Sequence, residues 1–402
     1  MKIRVLRIIN RLVIGGPAYN VSYLTKYLEP EFETILLSGP KEESEVDSDF
    51  IPRQMGIEPM YIKDMQKSLT KPWKDVKAYK EIKKVIEDFK PHIVHTHASK
   101  SGFIGRLVAI DCKVPIILHT FHGHYFHSYF HPIKTKTLLT IERILSSKTE
   151  GIIAISPEQF KDLSEVYKVD KPSKIYEIPL GFDLDRFTIH QDEKRKEFRK
   201  EFGLKDDDVA IAIIGRMVPI KNHSLFNNAI PAILATLPKN VKFFYIGDGE
   251  LRNDIENELR TLNVPFTTEI EKDNSKPVIF TSWRKDMEVV YAGLDIVALT
   301  SFNEGTPVSI IEAQAAKKAV ICTEVGGLNY VVDNNETAIL IPSNDLNALV
   351  ENLKLLIQDK AKRTEMGEKG WLFVQSKFSY KRLVSDMRSL YLKLLQEKGI
   401  EI

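Results

Sequence analysis

Short apolar runs rich in Ile and Val recur along the whole chain, each followed by a stretch of helical periodicity. They fall at 3–9, 34–37, 93–95, 115–118 and 151–155, and again at 209–214, 241–246, 278–280, 295–299, 319–322 and 338–341. Strand–helix alternation of this kind folds as a parallel sheet with helices on both faces. The rhythm pauses between about 181 and 205. There Asp183-Leu184-Asp185-Arg186-Phe187 leads into a charged helical segment, Asp192 to Glu201, before Ile211-Ala212-Ile213-Ile214-Gly215 restarts a sheet. At 402 residues the chain exceeds one ordinary core and fits two domains. The expected boundaries are 1–182 and 183–378, with the linker near 181–190. The amphipathic pattern from Ser379 to Gln396 predicts a long helix, so that 379–402 returns across the junction to the first domain. The chain shows no 20–50-residue repeat and no low-complexity segment.

With 43% hydrophobic and 28% charged residues the chain reads as soluble and globular, and its formal charge of +2 argues against a dedicated nucleic-acid binder. Residues 1–180 hold 27 Lys and Arg against 22 Asp and Glu, whereas 181–402 hold 30 against 33. The N-terminal half therefore suits an anionic acceptor or a membrane surface. Cys112 and Cys322 are the only cysteines, which excludes a disulfide scaffold and fits a reducing compartment. The opening run Ile3 to Ile9 is too short and too charged for a signal peptide, and no apolar stretch is long enough to span a bilayer. A cytoplasmic location is expected.

In a parallel sheet, ligands bind beyond the carboxyl ends of the strands, so the segments that follow the predicted strands are the candidates. The most specific is Ser301-Phe302-Asn303-Glu304-Gly305-Thr306-Pro307-Val308-Ser309-Ile310-Ile311-Glu312. Pro307 suits the first turn of a helix and Thr306 the cap before it. That places Glu304 on a loop and Glu312 on the helix. Two carboxylates beside a helix N-terminus suit a ligand with hydroxyls at both ends and phosphate between, the shape of a sugar nucleotide.

Gly15-Gly16 follow the first strand, and either bring backbone N–H groups to a phosphate or simply make a turn. Gly215-Arg216-Met217-Val218-Pro219-Ile220-Lys221-Asn222-His223 sets Arg216 and Lys221 on one loop, as a diphosphate clamp or a solvated basic loop, with Asn222 as a helix cap. Gly247 and Gly249, in Tyr245-Ile246-Gly247-Asp248-Gly249-Glu250-Leu251, permit close approach to a nucleobase or ribose. The third glycine and early acidic partner of a dinucleotide fingerprint are missing, which lowers any NAD reading.

Eight of the ten histidines fall between 92 and 131: His92, His95, His97, His119, His122, His124, His127 and His131. A metal site is one reading, but no carboxylate-rich or Cys partner accompanies them. His119-Thr120-Phe121-His122-Gly123 ends a predicted strand, where a His is set to hydrogen-bond a sugar hydroxyl. His92 and His95 read as strand histidines with satisfied hydrogen bonds. Tyr125 to Pro132 is an aromatic loop, for stacking on sugars, for a membrane interface or for a satellite core. Lys63 to Lys90 holds nine lysines against five acids, with Trp73 and Tyr79, and reads as a membrane contact or a solvated helix face.

Together these residues resemble the retaining family 4 glycosyltransferases of the GT-B fold, over nearly the whole chain. Gly15-Gly16 is similar to the family's N-terminal glycine loop, and His122-Gly123 to its His-Gly after a strand. Ile178-Pro179-Leu180-Gly181-Phe182-Asp183 resembles its hinge, with Leu180 where Asn is common. Gly215-Arg216 with Lys221 resembles its phosphate clamp, and Glu304 with Glu312 its Glu-x7-Glu signature. His95-Thr96-His97-Ala98-Ser99-Lys100-Ser101-Gly102, and His122-Gly123-His124 followed by Tyr129-Phe130, resemble a bacterial surface-polysaccharide subgroup.

The resemblance implies an α/β chain of two Rossmann-like domains whose parallel sheets face across a cleft, acceptor-side first and donor-binding second. It implies that Arg216 and Lys221 neutralise the donor diphosphate, Glu304 contacts the transferred sugar with the Gly305 and Thr306 amides nearby, and Glu312 accepts from ribose hydroxyls. Gly15, Gly16, Gly215, Gly247 and Gly249 line the donor. His122 lies by the sugar, and Lys100, His124 and Tyr129 lie on the acceptor side. A nucleotide-sugar donor, UDP-linked by preference, and a bacterial polysaccharide or lipid-linked saccharide acceptor are implied, with no metal or other cofactor and with peripheral membrane contact through the basic first domain. Asp47-Ser48-Asp49 lies in a polar loop and does not make a metal site. The family mechanism is same-face attack through an oxocarbenium-like transition state, with the leaving phosphate taking the acceptor's proton. Rival readings are a UDP-sugar epimerase or phosphorylase of the same fold, a non-catalytic sugar-nucleotide-binding subunit and a His-rich metal hydrolase.

Overall fold

The computed structural model describes residues 2–13, 16–41, 49–65, 72–122, 132–237, 240–268 and 273–400. The chain forms two compact units, Met1–Phe182 with Phe378–Ile402, and Asp183–Lys377. The first contains strands β1 (Ile3–Arg11), β2 (Phe32–Gly39), β3 (Met60–Tyr61), β4 (Ile93–His97), β5 (Ile116–Thr120), β6 (Gly151–Ala154) and β7 (Ile175–Glu177). They pair in parallel in the order β3-β2-β1-β4-β5-β6-β7. The second contains β8 (Val209–Ile214), β9 (Val241–Ile246), β10 (Phe266–Thr267), β11 (Val278–Ser282), β12 (Ile296–Leu299), β13 (Ala319–Thr323) and β14 (Ile339–Ile341). Their order, again all parallel, is β10-β11-β9-β8-β12-β13-β14. The strand order reverses between β1 and β4 in the first sheet and between β8 and β12 in the second. Such switch points leave a crevice beyond the strand ends.

Both faces of the first sheet are covered, so its strands β4, β5 and β6 are buried along their whole length. Ile3, Val5, Ile93, Ile116 and Leu118 pack on one face against Leu383, Met387, Leu390, Tyr391, Leu394 and Leu395. Leu6, Ile8, Val94 and Ile117 pack on the other against Ala78, Ile82, Ile86, Ile104 and Val108. Alternate residues of one strand thus serve opposite cores, the period of two that an extended chain imposes. The helix Tyr380–Glu397 supplies the first of these covers. It begins where Ser379 accepts a hydrogen bond from the Lys381 amide at 3.2 Å. Its start is laced to the end of the first domain by Phe182 N–H to Phe378 O (2.8 Å) and Tyr380 N–H to Phe182 O (3.0 Å). A Cβ on Gly181 would lie 2.7 Å from Tyr380 Cα, so this close crossing requires the glycine.

Three strands escape the sequence pattern: β3, β7 and β10, of two or three residues each, all at sheet edges. The charged segment after the first unit is the helix Gln191–Glu201. The basic segment from Lys63 holds the helix Pro72–Phe89, with Trp73 and Val76 exposed and Ala78, Ile82 and Ile86 buried.

Candidate active site

The densest constellation in the second unit lies at its switch point. Gly215, directly after β8, has φ +146° and donates its N–H to Ile246 O at 2.9 Å. Gly247, after β9, has φ +132°, and a Cβ there would lie 2.0 Å from Gly215 O; one on Gly249 would lie 2.5 Å from Met217 O. The close approach that Gly247 and Gly249 permit is therefore to the backbone of the Arg216 loop, where the sequence suggested a nucleobase or ribose. Gly247→Ala should cost about 2 kcal/mol or more and lower the melting temperature. Gly305→Ala, where a Cβ meets nothing within 4 Å, should leave it unchanged. Equal melting of the two variants would refute this packing role.

Beyond Gly215, Arg216 is exposed and its guanidinium has no partner among the described residues. Pro219–Lys221 then form a 3-10 turn. The Phe302 amide donates to Ile220 O at 2.8 Å, and the Thr300 hydroxyl donates to Lys221 O (3.1 Å) and Asn222 O (2.9 Å), so this turn is stitched to the loop after β12. Asn222 does stand at the N-cap position, but it is left-handed (φ 47°, ψ 54°) and its side chain makes no capping bond. Its conformation is spent on the turn that presents Lys221.

Lys221 Nζ donates to Glu304 Oε1 at 2.6 Å, and the Ser301 hydroxyl donates to the same oxygen at 2.6 Å. The two side chains are 21% and 11% exposed. An ammonium has three donors, so Lys221 keeps two for a ligand. The Glu304–Gly305 turn rests on another glycine pair. Gly327 N–H donates to Glu304 O at 2.8 Å, and Cβ atoms on Gly326 and Gly327 would lie 2.1 Å from Glu304 O and 1.9 Å from Gly305 O. The Gly305 and Thr306 amides donate to no backbone carbonyl among the described residues.

The following helix is Val308–Ala315. Pro307, expected in its first turn, occupies the N-cap position instead (φ −71°, ψ 103°), and Thr306 does not cap. Pro307 O accepts from the Ile310 and Ile311 amides, so the proline opens the helix as an acceptor. Glu312 lies on that helix with Oε1 3.5 Å from Arg186 Nη2. Burial pushes its carboxyl up to about 6, opposed by Arg186 and by the Tyr291 hydroxyl.

In the first unit, Gly16 begins the helix Gly16–Lys26 at the β1–β4 switch point, and a Cβ on it would lie 2.9 Å from Leu180 Cδ1. The residue that departs from the hinge pattern is thus the one that seats this glycine. His122 Nε2 lies 3.0 Å from His97 Nδ1, and burial pushes the His122 imidazole down to about 3. It is therefore neutral at physiological pH.

His119 belongs elsewhere: it points into the opposite core, with Nδ1 2.9 Å from Thr96 Oγ1. His92 Nδ1 accepts from the Arg4 amide (2.9 Å), and His95 is bonded at both ring nitrogens. Lys100, proposed for the acceptor side, is only 8% exposed and pairs with Asp75 Oδ1 at 2.7 Å. Gly15, Gly123, His124, His127, Tyr129, His131, most of the aromatic loop, and Asp47 and Ser48 lie outside the described residues. Among the described residues no group of three or more His, Cys, Asp or Glu is placed to hold a metal ion.

Sequence reasoning missed Thr300, Ser301, Gly326 and Gly327. The Gly326-Gly327 pair carries the same signal as Gly15-Gly16, paired glycines just past a strand.

Two family models together match most of the chain: "Glycosyltransferase Family 4" over residues 14–186 and "Glycosyl transferases group 1" over 208–359. A UDP-Gal:alpha-D-GlcNAc-diphosphoundecaprenol alpha-1,3-galactosyltransferase of Escherichia coli is 29% identical over 329 residues, covering 81% of each chain. The capsular polysaccharide biosynthesis glycosyltransferase CapM of Staphylococcus aureus is 28% identical, over 77% of this chain and 78% of its own. Among solved structures, a glycosyltransferase from Rickettsia africae superposes with a TM-score of 0.78 at 22% identity, covering 98% of this chain and 99% of that one. Anabaena Alr3699/HepE, in complex with UDP, superposes with a TM-score of 0.76 at 18% identity, covering 98% and 100%. Likeness at such identities speaks for the fold alone.

Proposed function

Because this chain belongs to the family 4 glycosyltransferases and has their GT-B fold, we propose that it moves a hexose or N-acetylhexosamine, with retention, from a UDP-sugar to a lipid-linked saccharide or bacterial polysaccharide. The single observation that carries this reading is the Lys221–Glu304 pair at the β8–β12 switch point, with Arg216 on the same loop unpartnered among the described residues. Cleaving a sugar–phosphate bond leaves negative charge on the nucleotide diphosphate and positive charge at the anomeric carbon. The two cations answer the first, and the Glu304 carboxylate, held by Lys221 and Ser301, faces the second. The Gly305 and Thr306 amides add donors beside it. Attack from the leaving group's own face, with the departing phosphate taking the acceptor's proton, retains the configuration. His122 lies on the acceptor side as a neutral hydrogen-bonding group.

The UDP donor and the lipid-linked acceptor are supported by the Escherichia coli relative, the polysaccharide acceptor by the Staphylococcus aureus one, and the basic first half of the chain suits an anionic lipid diphosphate. No helix among the described residues is long and apolar enough to cross a membrane; the proposed location is the cytoplasm, peripheral to the inner face of the membrane. Charge compensation is assigned to Arg216 and Lys221, with no metal required.

The test is a thermal-shift titration with UDP, GDP and ADP, with and without EDTA, read across pH. UDP should raise the melting temperature equally in both. A shift abolished by EDTA, or one seen only with another base, would overturn the donor assignment. Glu312 sets the pH dependence. Between the ordinary carboxylate range and about 6, the native state keeps a proton that the unfolded chain has lost. Apo stability therefore declines as pH rises through that window. A carboxylate accepts from ribose hydroxyls, so the UDP-induced shift should grow through the same window. Glu312→Gln should abolish that growth.

A further inference from the structure

Arg7 is fully buried in the middle of β1. It faces the core side that the helix Tyr380–Glu397 covers, directly opposite His95 of β4 in the parallel register, with His97 two residues on. A guanidinium stays ionised and offers donors only, so every ring nitrogen it reaches must accept through a lone pair. Arg7 Nη1 reaches His95 Nδ1 at 3.2 Å, His97 Nε2 at 3.4 Å and the Tyr391 hydroxyl at 3.3 Å. Burial first, and then the neighbouring Arg7 and histidines, hold His95 and His97 well below the usual histidine range, so each ring carries one proton.

One proton arrangement satisfies these contacts. His97 accepts at Nε2, so its proton is on Nδ1, which lies 3.0 Å from His122 Nε2 and donates to it. His122 therefore accepts at Nε2, and its own proton sits on Nδ1. That nitrogen is buried and has no partner among the described residues. The opposite arrangement, His122 donating to His97, would put the His97 proton on Nε2, donor against donor with Arg7. His95 is an internal check. It accepts at Nδ1 and must donate at Nε2, and Nε2 lies 2.8 Å from Thr120 Oγ1. Nη1 carries two hydrogens, which go to His97 Nε2 and the Tyr391 hydroxyl, and Tyr391 in turn donates to the one lone pair of His95 Nδ1 at 2.6 Å.

We propose that Arg7 is a positioning residue that acts through His97 to hold His122 in the Nδ1–H tautomer, so that His122 presents one N–H donor to an acceptor oxygen of the substrate. This rests on the reading of His122 as a substrate-side group. Free neutral histidine favours the Nε2–H form, so the fold has selected the less common tautomer. The C-terminal helix takes part through Tyr391, which ties its seating to the state of His122.

The test is the tautomer itself, read from long-range 1H–15N spectra of the 15N-histidine-labelled full chain, with the His122 signals identified by their loss in His122→Gln. Wild-type His122 should show a protonated Nδ1 and an unprotonated Nε2. In Arg7→Met and in His97→Phe the proton should shift towards Nε2, with kcat down about tenfold or more and donor KM unchanged. Arg7→Lys, which keeps a buried donor, should retain the wild-type tautomer. A wild-type Nε2–H form, or an unchanged tautomer in both Arg7→Met and His97→Phe, would overturn the proposal, and the wild-type spectrum decides even if a variant does not fold. Wild-type turnover in His122→Gln, beside a correct tautomer, would instead remove His122 from substrate contact. That failure belongs to the functional reading and overturns the presented-donor half of the proposal.

Discussion

Lys221→Ala should lower kcat by about two orders of magnitude or more, the usual scale for removing one donor aimed at charge that develops in a transition state. The expectation follows from how firmly the side chain is presented. Its turn is fixed by the Phe302 amide on Ile220 O and by the Thr300 hydroxyl on Lys221 O and Asn222 O, so the ammonium arrives with little conformational freedom left to lose. One of its three donors is committed to Glu304 at 2.6 Å, and two remain for phosphate oxygens. The alanine variant loses the counter-charge to the leaving diphosphate and also leaves the Glu304 carboxylate without its cation. UDP affinity, read by calorimetry, should fall as well, because the ground-state diphosphate is already charged. Lys221→Arg keeps the charge but not the point geometry and should fall between the two. Turnover within about threefold of wild type, well short of the loss expected for such a donor, would remove Lys221 from leaving-group stabilisation.

The α/β class, the double sheet and the loops that carry the site residues were legible because they depend on local patterns. Eleven apolar runs marked eleven of the fourteen strands among the described residues. The edge strands β3, β7 and β10 were not legible, because two or three residues set up no periodicity. Within the site, Glu304 and Lys221 could be singled out by their place after strands, but their ion pair could not. It depends on the lateral adjacency of β8 and β12, strands separated by about eighty residues of chain. Gly247 and Gly249 gave a signal of close approach without saying to what. The partner proved to be neighbouring backbone, a long-range contact with no local signature. Arg7 is the sharpest case. In sequence it is a charge interrupting a strand, with nothing local to say what it meets. In the fold it is fully buried, with Nη1 in reach of His95, His97 and Tyr391 from distant parts of the chain.

Glu304→Gln separates the sugar-facing role from a purely structural one. The substitution keeps the shape and one acceptor oxygen, so Ser301 and Lys221 can still donate to it, but the negative charge is gone. If Glu304 answers positive charge at the anomeric carbon, the loss belongs to the transition state. Then kcat should drop by about 10²-fold while the UDP dissociation constant moves by less than about threefold. The released Lys221 offers the diphosphate a stronger partner, so UDP affinity should hold or rise slightly. The two residues share one hydrogen bond and must not be additive. In Lys221→Ala the carboxylate is already misplaced, so adding Glu304→Gln should cost little more than Lys221→Ala alone. Equal losses in turnover and UDP affinity for Glu304→Gln would move the residue to the nucleotide site. Full additivity in the double variant would show that the 2.6 Å contact does not couple the two roles.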